Sequence, residues 1–230
     1  MTPESGAVGA VLDGLSAREL DGAGILAGLD AAGALAVPVL DEPLRLALLA
    51  AARAACYRPA RPVVGPAGRL VRQRMEVCDD FPPQSIFRRF AASFGALCRA
   101  RLSAGALDAF EGKLRFNDLM LQRYSVGEIG ITPHRDRTGY RNLVCLFVLE
   151  GAGRFYVCED RAGRGAREIP HAAGDVILMR APGYRGSSER PFHFVRDISS
   201  PRYVFGLRQE RRPVARPAGG TRLAAQSGLR

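Results

Sequence analysis

The chain of 230 residues has no tryptophan, only three histidines and, at Lys113, a single lysine. With no Trp and most Phe in core-like patterns, an exposed aromatic surface for stacking bases is not expected. The five cysteines (Cys56, Cys78, Cys98, Cys145, Cys158) are odd in number, scattered and form no CxxC pair. That excludes a disulfide framework and a zinc site and leaves reduced, mostly buried thiols. No apolar run reaches membrane-spanning length, and the start, Met1-Thr-Pro-Glu-Ser, lacks a basic segment followed by an apolar one. The expectation is a cytoplasmic protein with no membrane partner; oligomeric state is not legible.

The scarcity of lysine also qualifies the net charge of +10, because every other basic residue is arginine. Together with abundant Ala, Gly and Pro, this reads as a GC-rich coding bias rather than a nucleic-acid surface. Arg211, Arg212, Arg216, Arg222 and Arg230 occur in the last twenty residues with no acid among them. That segment, 211–230, lacks periodicity and is expected to be a disordered, solvated tail. The body is only moderately basic.

With 47% hydrophobic residues in 24.8 kDa, the chain can bury one sizeable core with additions. A short helix is expected around Ser16–Leu29 and an apolar strand at Ala34–Leu40. Asp41 is an N-cap ahead of Pro43 and an apolar series that runs to Cys56. Residues Tyr57–Gly68, with Pro59, Pro62, Gly65 and Pro66, read as a loop. Ser85 caps a second helix, whose Ile86, Phe87, Phe90, Phe94, Leu97 and Cys98 fall at helical spacing and read as core. After about Leu114 the pattern changes to short strands punctuated by glycine: Asn117–Tyr124, Ile129–Asp136, Asn142–Leu149, Arg154–Glu159, Asp175–Arg180, Phe192–Arg196 and Arg202–Gln209. Strands at this spacing predict an antiparallel sandwich or barrel, and helices ahead of them predict packing outside one face. The class is therefore α+β, mainly β.

What is present is concentrated in His134-Arg-Asp136 and, 57 residues after Asp136, His193. On a strand, residues i and i+2 point to the same side, so His134 and Asp136 can reach one ion while a distant strand supplies His193. Two imidazoles and one carboxylate cover one face of Fe(II) and leave open positions for a chelating cosubstrate and O2. A bare HxD triplet is a weak signal; its neighbours strengthen it. Arg202 and Arg208 are six residues apart on the last strand and share a face, with Val204 and Gly206 between them. An inward-facing arginine pair is costly to bury unless an anion neutralises it, and a dicarboxylate would do so. Two arginines paired with acids at the barrel rim remain the alternative. His171, in Ile169-Pro-His-Ala-Ala-Gly-Asp175, reads as a surface or rim residue, with substrate contact the minor option.

The segment Gln122-Arg-Tyr-Ser-Val-Gly-Glu-Ile-Gly-Ile-Thr-Pro-His-Arg-Asp136, then Gly174-Asp-Val, Arg190-Pro-Phe-His193 and Arg202-Tyr-Val-Phe-Gly-Leu-Arg208-Gln, resembles the Fe(II)/2-oxoglutarate-dependent dioxygenase superfamily. Within that superfamily the motifs are AlkB-like, with an Arg-Tyr before HxD and an Arg-x5-Arg ending. The resemblance covers about residues 116–210. It implies a double-stranded β-helix (jelly roll) core at about 114–210, with the helical part at about 1–113 completing one oxygenase domain over 1–210. It also implies that His134, Asp136 and His193 ligate iron and that Arg202 pairs with the distal carboxylate of 2-oxoglutarate. Arg208 would lie near the cosubstrate's other end, and Tyr124, with Gln122 a weaker candidate, would hydrogen-bond it. The implied reaction consumes O2, converts 2-oxoglutarate to succinate and CO2, and hydroxylates a substrate C–H bond. Desaturation, cyclisation and N-demethylation use the same site.

The interval from His193 to Arg202 is nine residues, nearer that of small-molecule hydroxylases than of AlkB-type members. No basic hairpin lid of the nucleotide-flipping kind is evident before the core. Arg137, Arg141, Arg180 and Arg190 are candidates to hold a substrate carboxylate. The expected substrate is a small molecule, an amino acid or natural-product intermediate. The alternatives are AlkB-type dealkylation of nucleic acid and, less favoured still, a non-enzymatic jelly-roll binding module.

Overall fold

The computed structural model describes Leu15 and residues 20–101 and 109–211. The tail read as disordered lies, beyond Arg211, outside the described residues, as does the start of the helix expected from Ser16. Among the described residues are three α-helices: α1 (Gly22–Ala32), α2 (Glu42–Arg53) and α3 (Ile86–Arg101). The strands are β1 (Ala34–Pro38), β2 (Arg58–Pro59), β3 (Val63–Val64), β4 (Val71–Arg72), β5 (Glu76–Cys78), β6 (Asp118–Tyr124) and β7 (Ile131–His134). They continue with β8 (Tyr140–Glu150), β9 (Arg154–Cys158), β10 (Arg167–Glu168), β11 (Asp175–Arg180), β12 (Phe192–Arg196) and β13 (Arg202–Glu210). No described helix is long and apolar enough to cross a membrane.

Each helix begins where a side chain supplies the acceptor that its first amides lack. Asp21 accepts from Ala23 and Gly24, Asp41 from Leu44 at 2.9 Å, and Ser85 Oγ from Arg88 at 3.3 Å. The first described helix therefore starts at Gly22, behind Asp21. It stops at Gly33, whose φ of 74° is the left-handed conformation of a helix end.

The strands form two main antiparallel sheets, one ordered β1-β11-β8-β13-β6-β5-β2 and the other β10-β9-β12-β7. The N-terminal part thus supplies β1, β2 and β5 to the larger sheet as well as helices to its exterior. Residues 57–68, read as a loop, contain β2 and β3. Hairpin β3–β4 is continued by residues that run beside β7, through Arg72 N to Thr132 Oγ1 (3.0 Å), the Gln73–Ile131 bridge and Arg74 N to the Gly130 carbonyl (2.8 Å). This hairpin region carries Arg69, Arg72 and Arg74. Two-residue strands among Pro and Gly have no periodicity to detect.

Period-two alternation sorts the larger sheet into two faces. From β13, β8 and β6, Phe205, Leu207, Cys145, Phe147, Leu119 and Leu121 join Leu44, Leu48, Phe87, Phe90 and Phe94 of the helices in one apolar cluster. Phe147 meets both Phe90 and Phe94 at ring separations of 4.8 Å, edge to face. The opposite faces contribute Val204, Val144, Leu146, Val148 and Tyr124 to a second cluster, with Phe155, Val157 and Val195 of the smaller sheet. The space between the two sheets is where the polar residues of interest converge.

Candidate metal centre and anion pocket

His134 ends β7 and His193 is its cross-strand partner on β12, so the ladder sets their imidazole rings 4.2 Å apart. The approach of the two strands depends on Gly130, whose φ is +69° and whose Cβ, if present, would meet the Val195 carbonyl oxygen. Asp136 lies two residues past the strand end rather than on it, because β12 pairing goes no further than the His193–His134 pair. Arg190 Nη1 donates to the Asp136 backbone carbonyl and steadies the segment after the strand. One ligand atom from each of His134, Asp136 and His193 falls within 4.8 Å of the others.

The donor chemistry fits a divalent metal. His134 Nδ1 is 2.9 Å from the Thr132 carbonyl and His193 Nδ1 is 3.2 Å from the Pro191 carbonyl. A carbonyl can only accept, so Nδ1 carries the proton and Nε2 is left bare to ligate. Burial pushes the His134 pKa down to about 3, the charge of His193 adding to the effect, and burial also lowers His193. Both rings are therefore neutral at neutral pH, the form that binds metal. Burial alone would raise Asp136, but its neighbours His193, Arg208, His134 and Arg190 together more than offset it and the net direction is downward. Parts of His134 and Asp136 are solvent-exposed, yet Asp136 Oδ2 is a buried atom with no partner. A buried carboxylate oxygen without a donor is what a missing cation leaves behind.

Beside this cluster, β13 points Arg202 and Arg208 inward, only 2% and 6% exposed. Gly206 lies between them, and a Cβ there would come within 2.6 Å of Arg208 Nη1. Arg202 Nε and Arg208 Nε and Nη1 are buried without partners, and no ion pair among the described residues involves Arg202. Burial brings Arg202 down to about 10, whereas for Arg208 the nearby Tyr140 and Asp136 outweigh burial and the direction is upward. Two buried guanidiniums with idle donors fit a dicarboxylate.

Tyr124 is opposite Arg202 in the ladder and Gln122 opposite Val204, so both face the same space. Burial raises Tyr124 to about 12, which keeps its hydroxyl protonated as a donor. Gln122 Nε2 instead approaches Met75 Sδ at 3.3 Å. Tyr140 escaped the sequence reading, and Arg190 and His171 have contacts that it did not foresee. Tyr140 donates to Asp118 at 3.1 Å, with its ring 5.6 Å from the Arg208 guanidinium carbon. Arg190 abuts Asp136, as described. His171, read as a rim residue, is half-buried with Nε2 3.0 Å from Arg202 Nη2. No sequence signal joins residues 171 and 202; only the fold brings them together.

Neither a family model nor a curated protein matches the chain. Its likenesses are among solved structures. A prolyl-4-hydroxylase from Pseudomonas putida has a TM-score of 0.59 at 17% identity, covering 83% of this chain and 99% of that one. An oxidoreductase of the 2OG-Fe(II) oxygenase family from Burkholderia pseudomallei gives 0.57 at 17%, covering 83% and 91%. A prolyl hydroxylase from Trichoplax adhaerens, solved with a fragment of hypoxia inducible factor, gives 0.58 at 12%, covering 91% and 93%. At these identities the likeness is one of architecture, and the chain has the antiparallel jelly-roll fold of 2-oxoglutarate/Fe(II) oxygenases.

Proposed function

We propose that the chain is an Fe(II)- and 2-oxoglutarate-dependent dioxygenase that hydroxylates a small molecule, an amino acid or natural-product intermediate. One observation carries the reading: a His134–Asp136–His193 donor cluster with an idle carboxylate oxygen lies in the same inter-sheet space as two buried arginines with idle donors. Residues 1–210 are read as one oxygenase domain. His134 and His193 through Nε2, and Asp136 through its carboxylate, would hold the iron. Arg202 would pair with the distal carboxylate of 2-oxoglutarate, Arg208 would lie near its other end, Tyr124 would donate a hydrogen bond, and Gln122 is a weaker contact. Bound together, iron and 2-oxoglutarate supply an oxidation in which the two atoms of O2 end in succinate and in the substrate's new hydroxyl, with release of CO2.

The protein's own contribution is placement and exclusion of water. Phe155, stacked 5.6 Å from the His193 ring, and Val195 wall the metal position on the smaller sheet. Of the arginines considered for a substrate carboxylate, Arg137, Arg141 and Arg180 already pair with Glu210, Glu111 and Glu189. Arg190 forms no ion pair with a described residue and is next to the metal donors; burial, with Arg135 close by, lowers its pKa. It is the favoured substrate anchor, with Arg135 over the Phe192 ring as its neighbour. The prolyl hydroxylases among the fold relatives add a prolyl residue, free or in a peptide, to the candidate substrates.

A second reading, AlkB-type oxidative dealkylation of nucleic acid, draws on the arginines of hairpin β3–β4 beside β7. The remaining alternative, a binding module without activity, does not explain the complete donor set.

Anaerobic Fe(II) and 2-oxoglutarate should give a visible charge-transfer band that His134→Ala and Asp136→Ala abolish. A well-folded, iron-loaded protein without the band would overturn the reading. Succinate release screened against amino acids, prolyl peptides and alkylated oligonucleotides then chooses the substrate; stimulation by oligonucleotides alone, falling steeply with salt, selects the second reading.

A further inference from the structure

We propose that His171 is a positioning residue, a neutral acceptor that sets the Arg202 guanidinium to receive a carboxylate. The inference rests on the reading of Arg202 as the 2-oxoglutarate anchor and adds a residue to it. His171 Nδ1 is 2.8 Å from the Ile169 carbonyl, so Nδ1 bears the proton and Nε2 presents a lone pair. That lone pair is 3.0 Å from Arg202 Nη2 and takes one of its two hydrogens. Arg202 Nη1 points to the Gly153 carbonyl at 3.4 Å, and a Cβ at Gly153 would lie 3.2 Å from Arg202 Cδ. Two of the three guanidinium nitrogens are thus held by the protein. Nε, buried and without a partner, and the second Nη2 hydrogen remain as an adjacent pair of donors, the fork that matches a carboxylate.

A buried arginine with no carboxylate beside it needs such a hold, because a guanidinium free to turn loses the two-point geometry. An imidazole suits the task where an acid would not. A carboxylate at 171 would neutralise Arg202 and compete with the ligand, whereas neutral Nε2 orients the group and leaves its charge available. Burial holds His171 below its ordinary pKa, with the Arg202 charge acting in the same direction. The loop that carries it is itself fixed, through Ala172 N to Asp175 Oδ2 at 2.7 Å and Gly174 N to the Val148 carbonyl at 2.8 Å.

The test compares His171→Leu, which removes the acceptor, with His171→Gln, whose amide oxygen can replace it. His171→Phe serves in place of the leucine variant should that one not fold. Anaerobic calorimetry of the Fe(II)-loaded protein with 2-oxoglutarate should show Kd raised about tenfold by Leu, the worth of one charge-assisted hydrogen bond, and about threefold or less by Gln. In turnover, KM for 2-oxoglutarate should rise with Leu while kcat at saturation stays near wild type. Equal weakening by Leu and Gln, unchanged affinity with Leu, or loss of kcat at constant KM would overturn the positioning role while leaving the oxygenase reading intact. A wild-type protein that binds no 2-oxoglutarate would overturn both.

Discussion

Along β13, alternate residues enter two environments of opposite character. Phe205 and Leu207 face the helices, where Phe205 is fully buried with the rings of Phe81, Phe87, Phe90 and Phe147 between 4.7 and 6.3 Å away. Arg202 and Arg208 face the other sheet, also shielded from water, yet keep donors with no partner among the described residues. The outer face is complete without a ligand; the inner face is not. One strand therefore separates a packed apolar face from a polar one with idle donors, and substitutions on its two sides should have different consequences.

The largest expected effect is on the outer face. Phe205→Ala removes a ring from the centre of an aromatic cluster and should lower unfolding free energy by about 3–5 kcal/mol, read from denaturant midpoints at constant m-value. Affinity for Fe(II) and 2-oxoglutarate, measured below the unfolding transition, should stay near wild type. On the inner face, Asp136→Ala should act first on binding. Loss of a partner one shell beyond a metal already costs about 10–100-fold in affinity, so loss of the ligand itself should weaken Fe(II) binding by at least about a hundredfold. The substitution also removes a charge that offsets the burial of Arg208, so the metal-free variant should be somewhat less stable than metal-free wild type. Fe(II) affinity near wild type would mean that Asp136 is no ligand.

Much of this division was legible from sequence. The period of two in Arg202-x5-Arg208 placed both guanidiniums on one face, and the strands expected at Asp175–Arg180 and Phe192–Arg196 have the bounds of β11 and β12. The stripe of Phe87, Phe90 and Phe94 read as core because its helical spacing leaves no other use for three aromatics on one side. Legibility failed where pairing is set at long range. That β1 closes the sheet against β11, that β7 stops at His134 so Asp136 lies in the loop after it, and that His171 reaches Arg202 all depend on which strand lies beside which. Asn142 is a further case: its φ of 60° at the start of β8 is held by bonds to Glu111 and Gln209 from distant segments.

A smaller effect, of opposite sign to that at Phe205, is expected for Arg202→Met. Burial lowers Arg202 to about 10, well below an ordinary guanidinium, so below pH 10 the native state bears the full penalty of the buried charge. Above about 10 the unfolded chain binds more protons than the native one, and stability rises with pH there. At neutral pH, replacing the cation with an apolar side chain of similar length should stabilise the ligand-free protein by about 1–3 kcal/mol. Binding of 2-oxoglutarate should be lost in the same variant. Stabilisation without loss of binding would show that the anchor lies elsewhere.

The smallest effect is a slope. Burial depresses the His134 pKa to about 3 against an ordinary 6.5, so between those values the unfolded state binds a proton that the metal-free native state refuses. Stability contributed by the neutral ring is therefore full above about 6.5 and drains as pH falls toward 3, by at most about 1.4 kcal/mol per pH unit for one group. His193 is shifted in the same direction and steepens the loss. Urea midpoints of metal-free protein from pH 7 to 4 should fall with acid, and His134→Asn, which cannot titrate, should fall less steeply. Parallel slopes for the two proteins would mean that acid acts through the body of the molecule. The inner face would then be no more sensitive to protons than the outer one, despite its idle polar atoms.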